Sequence, residues 1–482
     1  MELKALLLSL ASLPLIKGET VLGVYIFHRH GDRTPKALAP ANLTALGALQ
    51  AYESGNFYRN LYVASDASSP IYGLSHDIAV AAQLDVTSPV DTVLQSSALA
   101  FLQGIYPPAG TVGAQELANS SSVEAPLGGY QYIPVDSVAT ASSNPNSENN
   151  EWLQGGSGCG NAMVSSNNYF KSSEYTATYD QSKSFYTNLL PVINSTFSAD
   201  KANFKNGYTI FDYIHVATIH NQTIPSSDLL TNETLKELQL LANTHEWNLA
   251  YNDTDTIRAI AGATLAAQVL NSLNSTLTGK SSMPFGIQFG AYASFLSFFG
   301  LAQLPKLSPD FTGIVDYASS MVFELVTNAT VSASAYPSTD DVSVRFRFAN
   351  GTAAENPLTA YPLFGRGETL LPWTTFAEEM NKFAIGDTAS WCGACGNTTG
   401  ICASSTATPS SGGDGAAAAE STSGNGVTLP VAGVIGALVT LVVILGLEGL
   451  VYAIAGLKLV KKSTLASARA GAAGAAVVES KA

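Results

Sequence analysis

Charge is what this sequence has least of. Only 12% of its 482 residues are Asp, Glu, Lys or Arg, and the 23 basic residues face 37 acidic ones, a net charge of −14. Such a chain lacks the basic footprint that a polyanionic strand needs, so nucleic acid is excluded as a partner. Histidine is scarcer still, at positions 28, 30, 76, 215, 220 and 245. No H-E-x-x-H zinc motif occurs, because "HEWNL" at His245–Glu246 lacks its second histidine. A G-x-x-x-x-G-K-[ST] loop and a G-x-S-x-G elbow are also missing, which excludes P-loop and nucleophile-elbow chemistry. No metal and no cofactor are expected. Arginine is absent altogether between Arg59 and Arg258.

Cysteine is limited to Cys159, Cys392, Cys395 and Cys402. An even number in an oxidising compartment implies two disulfides, with three connectivities open. "CGAC" at 392–395 has the spacing of a redox pair but no thioredoxin-like surroundings.

Long apolar runs occur only at the two ends. "MELKALLLSLASLPLIKG" carries one Lys before a run too short to span a bilayer, and reads as a signal peptide over 1–18. Residues 427–447 contain no charge, and as a helix they would reach about 31 Å, one hydrocarbon core. Glu448 falls near the inner interface, and Lys458, Lys461 and Lys462 supply a cytosolic flank. A type I single-pass protein follows, anchored in the membrane over 427–457 with a tail at 458–482. Its ectodomain would face the exterior or a lumen, at the plasma membrane or a vacuole. Residues 403–426, rich in Ser, Gly and Ala, read as a stalk. Ten N-x-S/T sequons begin at Asn42, Asn119, Asn194, Asn221, Asn232, Asn252, Asn274, Asn328, Asn350 and Asn397. That density suits a glycosylated ectodomain over 19–402.

Within 19–402, "ETVLGVYIF" reads as a buried strand and "LTALGALQAYESGNFYRNLYV" as the next helix. Strand and helix alternate again after residue 257, while about 116–250 reads as a mainly helical insertion. The first strand runs into "HRHGDRTP", residues 28–35. The end of a strand in an open α/β sheet is where ligands gather. Arg29 and Arg33 offer planar forks for phosphate or carboxylate, Gly31 permits close backbone approach, and a histidine held among arginines can attack phosphorus.

This string resembles the R-H-G-x-R-x-P motif of the histidine acid phosphatase family, the branch with acid phosphatases and phytases. "SALAFLQGIYPP" (97–108), "FLSFFGL" (295–301), "DYASSMVFELV" (316–326) and "VRFRFANGT" (344–352) resemble its later helices and strands. The resemblance implies a phosphoglycerate-mutase-like α/β domain with an inserted helical cap. It implies phosphomonoester hydrolysis through a phosphohistidine at His30, with Arg29 and Arg33 on the phosphate. A phosphorylated small molecule or another anionic ligand is the partner it suggests. Asp32 would be a positioning residue and His28 a wall of the pocket.

The same resemblance exposes gaps. The family carries a further arginine before the helix matched by "SALAF", and none is present. It also carries a His-acid pair before the helix matched by "FLSFFGL", where Phe289 and Gly290 stand, give or take one residue. Gln288 could donate a hydrogen bond there but no proton. Glu246, beside His245, and Asp91 are the candidate substitute acids. Loss of a general acid alone costs about 10²–10⁴ in rate. Two readings follow: a phosphatase with an altered site, or a non-catalytic ectodomain that binds an anion or serves a structural role at the cell surface.

Overall fold

A computed structural model describes residues 18–138, 158–221, 223–279, 283–332 and 335–403. The expected signal peptide, anchor and tail, and the expected stalk beyond residue 403, lie outside these. Among the described residues no helix is long and apolar enough to cross a membrane.

The first strand, β1 (Thr20–Arg29), is buried along nearly its whole length. Val21, Val24 and Ile26 face one apolar layer, and Leu22, Tyr25 and Phe27 face the other. A register shift between Val21 and Gly23 accounts for the change of face between neighbours. Burial on both faces is why the segment reads as a continuous apolar run rather than an alternating one.

α1 (Ala45–Tyr58) follows, then β2 (Leu84–Pro89), α2 (Thr92–Ile105) and β3 (Asp136–Val138). The helices α3 (Gly160–Tyr169), α4 (Gly207–His220), α5 (Asn232–Ala250) and α6 (Ile260–Thr278) come next. The chain then alternates through β4 (Phe285–Gly290), α7 (Tyr292–Leu301), β5 (Ser320–Thr327) and β6 (Val342–Ala349). It ends with β7 (Thr359–Ala360), β8 (Leu370–Pro372), α8 (Trp373–Asn381) and α9 (Thr388–Cys395).

The strands form one eight-stranded mixed sheet, ordered β8-β6-β5-β1-β4-β2-β3 with β7 beside β6. β1, β4, β2 and β3 are parallel, whereas β5 runs antiparallel to β1 and β6 antiparallel to β5. This is the expected α/β class. α1 and α2 cover one face; α6, α7 and α8 cover the other. β3 lies inside the stretch read as an insertion, yet joins the main sheet beside β2.

The alternation in "VSVRFRFA" is explained by its two faces. Val342, Val344, Phe346 and Phe348 enter the core. Arg345 and Arg347 reach the buried Glu324 of β5 at 3.0 and 3.2 Å. Tyr62 adds a hydrogen bond of 2.5 Å to the same carboxylate.

A separate apolar cluster is built by Tyr169, Tyr186 and Phe204 with Ile210 and Ile214 of α4 and Leu238 and Leu241 of α5. The segment that was read as helical thus has its own core. Cys159 pairs with Cys395, and Cys392 with Cys402. The two cysteines of "CGAC" therefore belong to different disulfides and do not form a redox pair.

Candidate active site

The polar end of β1 sits where the sheet changes direction. Its neighbour β4 ends beside it in parallel, with His28 opposite Phe289 and Arg29 opposite Gly290. The antiparallel β5 begins there, with Ser320 opposite His28. The loop before β5 therefore runs back along the motif. Arg29 N–H donates to Ser319 O and Ala318 N–H donates to His30 O. Ala318 takes a φ of 59°, a left-handed conformation unusual for a residue with a side chain.

Gly31 is required by packing. A Cβ there would collide with the backbone of Gly47, in the first turn of α1. Thr44 caps that helix, accepting from Gly47 N–H at 3.0 Å, and its hydroxyl donates to Asp32 at 2.5 Å. The motif is thereby pinned against α1. α2 holds it from another side, with Gly31 N–H donating to Ser97 Oγ at 3.2 Å.

His28, Arg29, His30, Asp32 and Arg33 are all buried. His30 Nδ1 lies 2.8 Å from Gly31 O. A carbonyl only accepts, so Nδ1 carries a proton, and in the neutral form of the ring Nε2 carries the lone pair. This is the tautomer a nucleophilic histidine needs. His28 is different in kind. Its ring lies between Phe101 and Phe289, at 5.0 and 5.2 Å. Burial pushes its pKa from 6.5 down to about 4, against a raising hydrogen bond to Arg29 O. It is a neutral wall of the core.

The two arginines are treated differently. Arg33 is gripped by Asp212 of α4, with its two terminal nitrogens 3.1 and 2.8 Å from the two carboxylate oxygens. It also donates to Tyr208 Oη at 3.2 Å. Arg29 has no carboxylate in ion-pair range among the described residues. It donates to Val315 O and lies under the rings of Tyr317 and Tyr292, at 4.6 and 5.4 Å. Its Nε is buried without a hydrogen-bond partner.

Tyr317, Tyr208 and Tyr292 form the walls. Tyr317 lies 5.7 Å from the His30 ring and 5.9 Å from the Arg33 guanidinium. Burial raises the Tyr292 hydroxyl well above its ordinary pKa, and the Glu246 charge raises it further. Lys36 Nζ approaches the Tyr208 and Tyr292 rings at 5.7 and 5.8 Å. His215 of α4 shares Tyr317 as a ring neighbour at 6.1 Å. Burial lowers its pKa, Asp316 opposes that, and Arg29 lowers it further. The space beside Arg29, Asp212 and Tyr317 is only about 20 Å³, little more than the ~10–15 Å³ one water occupies.

On the β4 side, the residues from Gln288 to Tyr292 take different places. Phe289 is fully buried against Phe101 and His28, so it belongs to the core and not to the site. Gly290 closes the strand. Tyr292, at the start of α7, is the residue that reaches Arg29 from this side. Gln288 points elsewhere: its amide oxygen accepts from Tyr25 in the opposite layer.

The candidate substitute acids occupy distinct places. Asp91 is the N-cap of α2, where its Oδ1 accepts from Val93 and Leu94 N–H, both at 2.9 Å. Glu246 lies between His245, at 2.7 Å, and the Tyr292 hydroxyl, at 2.6 Å. It therefore touches the wall of the site through one tyrosine. Asp32 accepts from Thr44 and pairs with His220 at 2.6 Å.

Sequence reasoning missed Tyr208, Asp212 and His215. All three lie on α4 at spacings of four and three residues, hence on one helix face. Polar residues at that period inside "GYTIFDYIHVATIH" were the available signal.

The sequence profile of the histidine phosphatase superfamily (branch 2) matches residues 37–349. The matched span begins just after the string at 28–35. No curated protein matches the chain. Among solved structures, the phytase from Citrobacter braakii is similar over 79% of this chain and 100% of its own, at 14% identity and a TM-score of 0.51. The phytase from D. castellii is similar over 79% of this chain and 82% of its own, at 13% identity and a TM-score of 0.50. These likenesses carry the fold, and the profile carries the family. The chain belongs to branch 2 of the histidine phosphatase superfamily.

Proposed function

We propose that this protein binds phosphomonoesters at the end of β1 and transfers their phosphoryl group to His30. Arg29 is the observation that carries this reading. A buried guanidinium without a carboxylate is costly, and an anion beside it recovers that cost. Its neighbour in sequence is a histidine whose Nε2 bears the lone pair. In the first step Nε2 bonds to phosphorus as the ester P–O bond breaks, and the departing oxygen takes a proton from water. In the second, water attacks phosphorus, the N–P bond breaks, and inorganic phosphate leaves. Arg29 neutralises the phosphoryl oxygens in both steps.

With no dedicated acid on the β4 side, the leaving group matters more than usual. A general acid is worth about 10²–10⁴ in rate, and a weakly basic aryloxide needs it least. Aryl phosphates are therefore the expected substrates, and alkyl phosphates poor ones. Membrane anchoring and secretion are part of the same reading. They are supported by the uncharged run at 427–447, the two disulfides and the sequon asparagines, of which Asn252 and Asn397 are half-buried and the other eight exposed.

The test is to react the full-length chain with p-nitrophenyl phosphate from pH 4 to 7, quench in alkali, and map phosphohistidine by mass spectrometry. Label on the peptide containing His30, with label and turnover abolished by His30→Ala, is the expected result. Turnover that survives His30→Ala sinks the mechanism. An absence of both, with orthophosphate still bound, leaves an anion-binding ectodomain. The narrow space beside Asp212 and the aromatic β4 side favour that second reading.

A further inference from the structure

We infer that Asp212 is a built-in occupant of the phosphate seat on Arg33, so that ligand must displace α4 to bind. This rests on the proposed phosphate site and adds a device that controls it. A carboxylate presents two coplanar oxygens to a guanidinium much as a phosphoryl group does. Asp212 uses both, at 3.1 and 2.8 Å, and also accepts from the backbone N–H of Lys36 at 2.8 Å. Both members of the pair are shut from solvent, at 0% and 2% exposure. The fork that would hold a phosphate is thus satisfied from within.

Space gives the same answer independently. The cavity that Asp212 lines together with Arg29 and Tyr317 holds about 20 Å³, too little for a phosphoryl group. Withdrawing the Asp212 side chain would enlarge it beside Arg29 and uncover the Arg33 fork that Asp212 now holds. A route to solvent is already open behind it. A cleft of about 270 Å³ between α4 and α5 shares Phe211, His215 and Gln239 with that cavity, and Lys236 stands at its rim.

α4 is placed to move as a unit. Besides the Tyr208 hydroxyl on Arg33, it closes over the motif through two carboxylate contacts, Asp212 on Arg33 and His220 on Asp32, eight residues and about two turns apart. His220 is one-third exposed, so the second clasp is the weaker of the two. The anion and Asp212 compete for one fork, and only one can hold it.

The test measures orthophosphate binding by calorimetry to the full-length chain and to its Asp212→Asn variant. The amide keeps the size and one acceptor but gives up the charge. Binding at least tenfold tighter in the variant is expected. Equal or weaker binding to a folded variant overturns the latch. If wild-type binding in that case is still lost on Arg29→Ala, the site itself stands. Should the variant fail to fold, hydrogen exchange on the wild type decides. Saturating orthophosphate should loosen the amides of 207–220, and unchanged or greater protection there overturns the latch. Binding of orthophosphate to neither chain overturns the site and the latch together.

Discussion

β1 and β4 run side by side in register and end in opposite chemistry. Where β1 offers His28 and Arg29, β4 offers Phe289 and Gly290. Burial does not separate them, since His28 and Phe289 are both wholly inside and touch the same Phe101. What separates them is wiring. Beyond β1, the carboxylate of Asp212, the hydroxyl of Thr44 and the carbonyls of Gly31 and Val315 all hold the motif's side chains. Beyond β4, the Tyr292 hydroxyl turns away toward Glu246. One strand end can lose its polar residues and close up with rings. The other cannot be made apolar one residue at a time, because Arg33 and Asp32 are each held by a partner of opposite kind, Asp212 and His220.

The sharpest way to break this comparison is Arg33→Ala. It leaves the Asp212 carboxylate buried with no counterion, a change worth about 3–5 kcal/mol of stability. Denaturant unfolding should show that loss, and Arg33→Ala with Asp212→Leu should recover much of it. A single-variant loss below about 1 kcal/mol would place the pair with surface ion pairs, which contribute little.

His28 gives the next largest effect, through pH. Its pKa is about 4 when folded and 6.5 when free, so the unfolded chain binds the extra proton between those values. Its contribution is complete above pH 6.5 and is lost as pH falls toward 4. A gap of that size corresponds to roughly 3 kcal/mol. His215, lowered in the same direction, adds to the slope. His28→Phe should lose less stability between pH 7 and 4 than the wild type does, by about that amount. Equal losses in the two chains would mean that the ring is hydrated in solution.

The first strand, the motif and the helix that follows it were legible because local rules decide them. An apolar run ending at "HRHGDRTP" marks a strand end, and Gly31 marks a close approach. The lack of a histidine or an acid over residues 283–291, just ahead of α7, was legible too. The occupants of the site were not. Asp212 lies 179 residues from Arg33, and only the packing of α4 over the motif unites them. That Tyr292, three residues beyond Phe289, is the ring that meets Arg29 was also out of reach. Both are aromatic, and only the turn from β4 into α7 decides which ring faces Arg29. Cysteine pairing likewise depends on the approach of residue 159 to residue 395 across 236 positions.

The smallest expected effect concerns Glu246, the carboxylate that Tyr292 contacts. Tyr292 stands between it and Arg29, and the direction of its proton matters. Burial and the Glu246 charge both keep that hydroxyl protonated through the acid and neutral range. The bond therefore runs from Tyr292 to Glu246, and the tyrosine proton is aimed at Glu246 and not at the proposed phosphate seat. To serve as the acid, Glu246 would have to hold a proton while already accepting one hydrogen bond from Tyr292 and facing His245 at 2.7 Å. Glu246→Gln keeps the shape and the acceptor for Tyr292, so turnover of an aryl phosphate should change less than about twofold, far below the ~10²–10⁴ of a lost general acid. The decisive measurement is the ratio of alkyl to aryl phosphate turnover. A ratio that falls tenfold or more in Glu246→Gln would make Glu246 the proton source after all. The end of β4 would then be a relayed half of the machinery, reached through Tyr292, and no longer a packed one.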